Sequence, residues 1–354
     1  MADIKKLIKD INKKFGANAI RLGSDIKQDM NFKIPLGSVG LNDALGGGLP
    51  SGRYITLAGQ ESSGKSFLAY KAIATVQAMK KKTVTDSSGF EYEIVAEDGD
   101  TPLQAALIQI ESGSYTKEWG DYLGIDNDSL IFCQPEGMEQ ALDIAIALQQ
   151  AGVEFIVIDS IAAMLPTKEI ETDLVDTVQM GLRAKALNSY HGKFQSFNNT
   201  LERTGHIPTT VLAINQFRDK LGGYGDPTTV PGGNSQKYTN SLEIRTRVGD
   251  YLKEGTGANA EIVGRVVKWK IQKNKTGAAF VDGEYDFYTK DGMLPKGTID
   301  TAKELVVLAI VKGVVERRGA WYFYNGVQVA QGQDNLIQKL REDKEMFLEI
   351  VGKL

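Results

Sequence analysis

A stretch rich in glycine and serine, GQESSGKS, runs from Gly59 to Ser66. It fits the pattern G-x-x-x-x-G-K-[ST], in which glycines let backbone N–H groups converge on phosphate oxygens. Lys65 is suited to neutralising the outer phosphates, and the hydroxyl of Ser66 to ligating Mg²⁺. The apolar run YITLA precedes the stretch and FLAYKAIATVQAM follows it, so it lies where a strand leads into a helix. The predicted nucleotide contacts are Gly59, Gln60, Glu61, Ser62, Ser63, Gly64, Lys65, Ser66 and Phe67.

Three more polar side chains end apolar runs. Asp159 ends EFIVID, where a carboxylate could hold the metal through water, and Glu111 ends AALIQIE, where it could polarise the attacking water. Gln216 ends TVLAINQ and could sense the outermost phosphate. The alternatives are a solvated strand-end acid for Glu111 and a core hydrogen-bonding amide for Gln216.

Two segments that follow these runs are unusually long. One contains EIETDLVDTVQMGLRAKALNSYHGK, and the other is FRDKLGGYGDPTTVPGGN. Long connections in compact domains tend to be functional or disordered. The second carries little charge, so binding there would depend on backbone N–H groups and a few polar side chains.

The elements that must position these residues alternate between strand-like and helix-like patterns. Apolar strands separated by helices predict a mostly parallel sheet covered on both faces. The strands are RYITLAG, AALIQIE, LIFCQ, EFIVIDS and TVLAINQ, and the helical segments between them include a long one from Asp176 to Arg203. SLEIRTRV, RVVKWKIQKN and EYDFYT alternate as an antiparallel extension would, and residues 83–102 predict a surface hairpin.

Both ends of the chain differ in pattern from this core. Ile4, Leu7, Ile8, Ile11 and Phe15 recur at helical spacing, followed by AIRLG, which predicts a short strand. That apolar stripe packs either on its own core or on a neighbouring subunit. After Gly292, a helix at 301–311, a hairpin turning at Asn325-Gly326 and a closing helix predict a small α/β domain.

Composition narrows the functional classes. The chain has 354 residues, 42% hydrophobic and 24% charged, with a net charge of −4, so it is no polycation. One cysteine excludes an internal disulfide, and two histidines argue against a zinc site. The N-terminus has no apolar signal core, and the longest apolar run, LVVLAIV, is too short to cross a membrane. We expect a cytoplasmic protein.

Taken together, these stretches resemble the bacterial RecA recombinases. Six stretches occur in the order and spacing of that family: GQESSGKS, EFIVIDSIAAMLP, QMGL, INQFRDKLG, PGGNSQKY and QKNK. IRLGSD and GAWYFYNG extend the resemblance over nearly the whole chain. It implies an α/β fold with a RecA-type P-loop ATPase core at 33–292, an N-terminal helix–strand arm for oligomerisation at 1–32 and a C-terminal α/β domain at 293–354.

The resemblance also implies ATP and Mg²⁺ as cofactors and a role for individual residues. Ser66 and Asp159 become the metal-linked pair, and Trp119 and Tyr288 the aromatics at the adenine ring. The implied catalytic residues are Lys65, Glu111, Gln216, Lys273 and Lys275, the last two reaching phosphates across a subunit interface. Two implied DNA loops, at about 172–193 and 217–234, supply Met180, Gly181, Lys185, Asn188, Lys193, Arg218, Lys220, Gly232, Gly233 and Asn234.

The chain departs from the family in several places. Gln109 stands where an acidic residue is usual, the first loop's later arginine falls near Gly192-Lys193, and residues 83–102 look like an insertion. The chain stops at EIVGKL, without the family's acidic tail. These departures fit a divergent member of the family that is phage- or plasmid-borne. Whether the protein acts in repressor self-cleavage stays open.

The function implied is an ATP-dependent protein of homologous recombination and DNA repair. It would form helical filaments on single-stranded DNA, hydrolyse ATP in a DNA-dependent manner and exchange strands with homologous duplex DNA, without a membrane partner. A hexameric helicase or other motor on the same fold fits Lys273, Lys275 and the arm equally, but the GGN-bearing loop favours the recombinase. A third alternative is a structural scaffold that binds DNA and ATP but barely hydrolyses ATP. The presence of Lys65, Glu111 and Gln216 argues against it.

Overall fold

The computed structural model of the protein describes residues 2–16, 18–172, 181–219, 228–229, 236, 238–255 and 257–354. The α-helices are α1 (Ala2–Phe15), α2 (Val39–Ala44), α3 (Lys65–Ala78), α4 (Lys117–Leu123), α5 (Met138–Gln150), α6 (Thr167–Glu171), α7 (Leu182–Arg203), α8 (Thr301–Val311), α9 (Gln333–Glu342) and α10 (Lys344–Val351). The strands in the first half are β1 (Lys33–Ile34), β2 (Leu49–Pro50), β3 (Tyr54–Gly59), β4 (Lys80–Thr85), β5 (Glu91–Val95), β6 (Thr101–Pro102), β7 (Ala105–Gln109), β8 (Ile131–Cys133) and β9 (Phe155–Asp159). Those in the second half are β10 (Thr210–Gln216), β11 (Arg218–Asp219), β12 (Thr228–Thr229), β13 (Leu242–Glu254), β14 (Glu261–Asn274), β15 (Asp282–Tyr288), β16 (Val315–Arg318), β17 (Trp321–Tyr324) and β18 (Val327–Gln331).

The largest sheet has the order β15-β14-β13-β3-β10-β9-β7-β8. Strands β8, β7, β9, β10, β3 and β13 pair in parallel, while β13, β14 and β15 pair in antiparallel fashion. The predicted α/β class and mostly parallel sheet are confirmed. Because β3, β7, β9 and β10 run in the same direction, their carboxyl ends meet at one edge.

Alternate residues of the central strands enter two apolar cores. In β10, Leu212 and Ile214 belong to the core under α3, while Val211 and Ala213 belong to the core under α5 and α7. All four side chains are buried. Burial on both faces explains why these strands have uninterrupted apolar sequences.

The C-terminal residues surround a third core, formed by α8, the β16–β18 sheet and the closing helices. The predicted hairpin turns at Asn325 and Gly326, whose φ angles are 50° and 78°. The single closing helix of the prediction is instead two helices that break at Asp343. The Asp343 carboxylate accepts a hydrogen bond from the Met346 backbone and caps α10.

Glu304 of α8 connects this C-terminal part to the core. Its carboxylate accepts hydrogen bonds from the Ser38 hydroxyl at 2.6 Å and from the backbone N–H groups of Val39 at 3.0 Å and Gly40 at 3.3 Å. These donors form the N-terminus of α2, so a side chain of one part caps a helix of the other. Burial raises the pKa of Glu304 to about 7.

At the N-terminus, the short strand expected at AIRLG does not form. The Ile20 N–H and the Ile20 carbonyl instead bond the Asn12 side chain, and Arg21 pairs with Glu202 at the end of α7. Helix α1 forms, but Ile4, Leu7 and Phe15 are 52%, 56% and 62% exposed. The apolar stripe is therefore largely uncovered within one chain.

No helix in the part of the chain that the structure describes combines the length and apolar character that crossing a membrane requires.

Candidate functional site

The loop from Gly59 to Ser66 connects β3 to α3 and lies against β13. A Cβ atom on Gly59 would lie 2.4 Å from the Thr246 hydroxyl oxygen and 2.5 Å from the Thr246 carbonyl oxygen, so only glycine fits. The Ser63 hydroxyl lies 2.8 Å from the Thr246 hydroxyl. Gly64, at φ +78°, begins α3. The loop is thus held by the neighbouring strand as well as by its own turn.

Lys65 is a nearly buried cation in this loop, with 7% exposure. Its ammonium donates to the Gln60 carbonyl at 2.5 Å. Burial lowers the pKa of Lys65, and the negative charges of Asp159, Glu111 and Glu61 act in the opposite sense. Such a cation at the N-terminus of a helix suits a bound phosphate.

Asp159 ends β9 beside the loop and is 3% exposed. Its carboxylate accepts a hydrogen bond from the Tyr70 hydroxyl at 2.8 Å. Burial raises the pKa of Asp159, while hydrogen bonds from Tyr70 and Ser66 and the charge of Lys65 lower it. The pairing of Ser66 with Asp159 gives a hydroxyl and a carboxylate, both oxygen donors of the kind that Mg²⁺ prefers.

Glu111 follows β7, the strand adjacent to β9. Its Oε1 atom accepts hydrogen bonds from the Ser160 hydroxyl at 2.7 Å and from the Gln216 side-chain amide at 3.3 Å. The Gln109 amide donates to the Glu111 carbonyl at 2.7 Å, so Gln109 holds the backbone at this point. Lys65, Asp159, Glu111 and Gln216 therefore lie together at the carboxyl edge of the sheet.

The segment after Gln216 is bonded to the nucleotide loop at its start and to strands β3 and β10 on its return. The Phe217 N–H donates to the Gly59 carbonyl at 3.3 Å. On the return, the Gln236 side chain donates to the Thr56 hydroxyl at 3.3 Å and accepts from the Asn215 amide at 3.5 Å. The segment that begins at Phe217 is therefore bonded to Gly59 at its start, directly after Gln216.

Trp119 and Tyr288 both lie against the turn at Gly297. The Gly297 N–H donates to the Tyr288 carbonyl at 2.8 Å, and a Cβ on Gly297 would lie 3.5 Å from the Trp119 ring. Tyr288 is buried, and the Lys296 ammonium lies 5.3 Å from the centre of the Trp119 ring. Phe67 packs on Phe287 with ring centres 4.1 Å apart.

Lys273 and Lys275, at the end of β14, are displaced along the sheet from the nucleotide loop of the same chain. Lys273 is opposite Glu243, three residues before Thr246, which is opposite Gly59. Three residues of strand span about 10 Å. The Lys275 ammonium donates to the Tyr238 carbonyl at 2.8 Å. Burial and the charge of Lys275 lower the pKa of Lys273.

The residues expected at DNA divide into three sets. Lys185, Asn188 and Lys193 are exposed on α7, which begins after Gly181 at φ +94°. Residues 182–193 are therefore helix rather than loop. Arg218 lies in β11, paired with β12. The remaining predicted contacts lie outside the described residues: Met180, Lys220, Gly232, Gly233 and Asn234.

Three residues of this site were not predicted from the sequence. Tyr70 lies one helical turn after Ser66, a spacing that could have indicated a shared face. Ser160 directly follows Asp159. Thr246 had no usable pattern, because its position depends on the pairing of β13 with β3.

Comparison with known proteins identifies the family. A model of the RecA N-terminal domain matches residues 2–294, and a model of the RecA C-terminal domain matches residues 303–354. The protein RecA of Enterococcus gallinarum is 34% identical over 363 aligned residues, which cover 100% of this chain and 92% of that protein. The protein RecA of Staphylococcus aureus strain JH9 is 36% identical, covering 98% of this chain and 90% of that protein. With the nucleotide loop, the carboxylates and Gln216 at one edge of a RecA-type sheet, the chain belongs to the RecA family of recombinases.

Proposed function

We propose that this protein polymerises on single-stranded DNA, hydrolyses ATP when DNA is bound, and exchanges the strand with homologous duplex DNA. The observation that carries the proposal is the position of Gln216. Its amide contacts Glu111, and its neighbour Phe217 donates to Gly59 at the start of the segment expected to bind DNA. Nucleotide state and DNA binding would therefore meet at one residue. We place this activity in the cytoplasm, where ATP and DNA are both available.

The nucleotide chemistry follows from the convergent side chains. Lys65 and the N–H groups of the loop would bind the phosphates, and Trp119 and Tyr288 would lie at the base. Ser66 and Asp159 would hold Mg²⁺, which supplies positive charge to the phosphates as hydrolysis proceeds. Glu111 would accept a proton from the attacking water.

Self-assembly is supported by two features at different ends of the core. The apolar stripe of α1 is largely exposed and needs a partner surface, which a second copy of the chain would provide. Lys273 and Lys275 lie away from the nucleotide loop of their own chain. We therefore assign residues 1–32 to subunit docking, 33–292 to the ATPase core and 293–354 to a separate C-terminal domain.

DNA binding would use the exposed start of α7 and the segment 217–234. Lys185, Lys193, Arg218 and Lys220 supply positive charge to backbone phosphates, while Gly232, Gly233 and Asn234 supply N–H groups. Phosphate contacts carry no sequence information, so base pairing between strands would give the specificity. Affinity should fall as salt rises.

Replacing Gln216 by alanine tests this proposal. Gln216→Ala should keep ATP affinity but lose both DNA-stimulated hydrolysis and the gain in DNA affinity that ATP gives. Such couplings are typically about 5- to 150-fold. Fluorescence anisotropy of labelled single-stranded DNA, with ADP and with a non-hydrolysable ATP analogue, measures the gain.

Gln328→Ala, at an exposed glutamine of β18, is the matched control and should behave as the parent protein. If Gln216→Ala still binds DNA much more tightly with the analogue than with ADP, nucleotide state reaches the DNA segment by another route.

A further inference from the structure

A small antiparallel sheet, β5-β4-β6, lies apart from the central sheet and covers residues 80–102. It contains the segment that the sequence analysis identified as an insertion. We call it the β4–β6 sheet, and we call residues 18–31, which connect α1 to the core, the arm base. None of the residues proposed to bind nucleotide or DNA lies in the β4–β6 sheet, so its contacts indicate another purpose.

The sheet contacts the arm base through paired polar groups. Lys27 forms an ion pair with Asp86, and both side chains are only 18% exposed. The Tyr92 hydroxyl donates to the Asp29 carboxylate at 2.7 Å. The Lys27 ammonium also lies 5.2 Å from the centre of the Tyr92 ring. Two charged residues of the arm base are thus held by one strand and one turn of the sheet.

The same sheet contacts the residues that directly follow α7, Gly205 and Ile207. The Glu93 N–H donates to the Gly205 carbonyl at 2.7 Å, and the Glu93 carboxylate accepts from the Ile207 N–H at 3.0 Å. A Cβ on Gly205 would lie 2.3 Å from the Glu91 carbonyl oxygen, so the two backbones approach as closely as glycine permits. These contacts fix the sheet relative to the helix.

The sheet is fixed to the core as well. Lys81 of β4 pairs with Glu93 at 2.9 Å and with Glu154 at 2.7 Å, and Glu154 is 2% exposed. A buried carboxylate paired in this way is costly to separate from its partner.

The arm base also reaches α7 directly. Arg21 pairs with Glu202, and the Asn18 amide donates to the Arg203 carbonyl at 3.3 Å. The β4–β6 sheet, the arm base and the end of α7 with the residues that directly follow it therefore contact one another pairwise. Helix α1 extends from this junction with its apolar stripe uncovered.

We propose that the β4–β6 sheet holds the arm base against the end of α7 and so fixes the direction in which α1 is presented to a second copy of this chain. This rests on the proposed role of α1 in docking. Without the sheet, the arm base would sample many directions, and docking would have to order it at an entropic cost. The opposite end of α7 lies about 33 Å away, next to the first predicted DNA segment.

The double variant Asp86→Asn with Tyr92→Phe tests the proposal with little change in shape. The asparagine amide keeps an oxygen that can accept from the Ser88 and Phe90 N–H groups in the turn, so the sheet itself should fold. Hydrogen exchange at the Asp25 and Ile26 amides should accelerate at least tenfold, while amides of β9 and β10 should be unchanged. The concentration at which the protein self-associates should rise several-fold. Unchanged exchange at the arm base would overturn the proposal.

Asp98→Asn is the matched control, since it breaks the Lys82–Asp98 pair on the same sheet, where Asp98 is 74% exposed. It should change neither measurement. Lys27→Met adds a second test, because it removes the ammonium and leaves the Asp86 oxygen that accepts from Ser88 and Phe90 in the turn. It should also release the arm base, and unchanged exchange in that variant would count against the proposal.

Leu7→Glu separates this inference from the docking role on which it rests. If Leu7→Glu leaves self-association intact, α1 is not the docking element, and the proposed role of the sheet in presenting it falls too. If Leu7→Glu abolishes self-association while the double variant leaves exchange at the arm base unchanged, only the role of the sheet is wrong.

Discussion

The Oε1 atom of Glu111 is shared between two donors, Ser160 and Gln216. On the proposed function, movement of the Gln216 amide toward a nucleotide would leave this oxygen open to the attacking water. Rotation of the Gln216 side chain would then respond to the bound nucleotide and at the same time enable its hydrolysis.

Glu111→Gln should therefore slow ATP hydrolysis by about 10² or more, the usual scale for a lost general base. ATP and DNA binding should remain, because Lys65 and the loop N–H groups are unchanged. Steady-state turnover with saturating single-stranded DNA measures the first effect, and negative-stain images should show filaments that persist with ATP.

The control is Glu136→Gln, a substitution of the same type at an exposed acid before α5. Turnover of Glu111→Gln near that of the control would mean that another group activates the water.

The sequence predicted the neighbourhood of these groups but not their partners. Lys65, Asp159, Glu111 and Gln216 each end or follow an apolar strand, and parallel strands bring such ends to one edge. Tyr70 and Ser160 were missed because a buried carboxylate's hydroxyl partner depends on side-chain direction as well as on spacing.

Helix α7 shows how burial overrides a long-loop pattern. Leu187, Tyr190, His191 and Phe194 are buried at helical spacing, which extends the helix back through residues predicted to be loop. The helical segment expected from Asp176 to Arg203 is therefore confirmed over Leu182–Arg203, whereas the loop implied to reach residue 193 is not loop over residues 182–193. The expected strand at AIRLG failed for the opposite reason, since a strand needs a neighbouring strand and the described part of the chain places none beside it.

Gly192→Ala should stabilise the protein by about 0.5–1 kcal/mol. Gly192 is exposed within α7, and apart from its chain neighbours and the backbone of its own helix no described atom lies within 4 Å of the position that its Cβ would occupy. Alanine would reduce the conformational entropy of the unfolded chain at no steric cost. Urea-induced unfolding followed by circular dichroism measures the change.

Gly181→Ala is the paired control on the same helix. It has equal space but a φ of +94°, where a Cβ is strained, so it should destabilise the protein by about 1 kcal/mol. Equal effects of the two substitutions would contradict the described start of α7.

Burial of Glu304 at the N-terminus of α2 makes the contact between the C-terminal part and the core sensitive to pH. The pKa of Glu304 is raised from 4.5 to about 7 in the folded protein. The stability that its protonated form contributes is present below pH 4.5 and is lost as pH rises through 7. The shift corresponds to about 3 kcal/mol at most.

Glu304→Gln should flatten the fall in the free energy of unfolding between about pH 5 and pH 8, because glutamine stays neutral. Urea unfolding at the two pH values measures the slope. Glu345→Gln, at an exposed acid of α10, should leave the slope as it is. A slope in Glu304→Gln equal to that of the parent protein would show that other groups cause the pH dependence.

Lys273 and Lys275 lie about 10 Å along the sheet from the level of their own nucleotide loop. On the proposed function, each complete ATP site takes its loop from one subunit and its lysines from the next. A row of n subunits then holds n − 1 complete sites, and the terminal subunit is always idle. Turnover per subunit would rise with row length toward a plateau, so DNA strands that seat only two or three subunits would activate hydrolysis poorly.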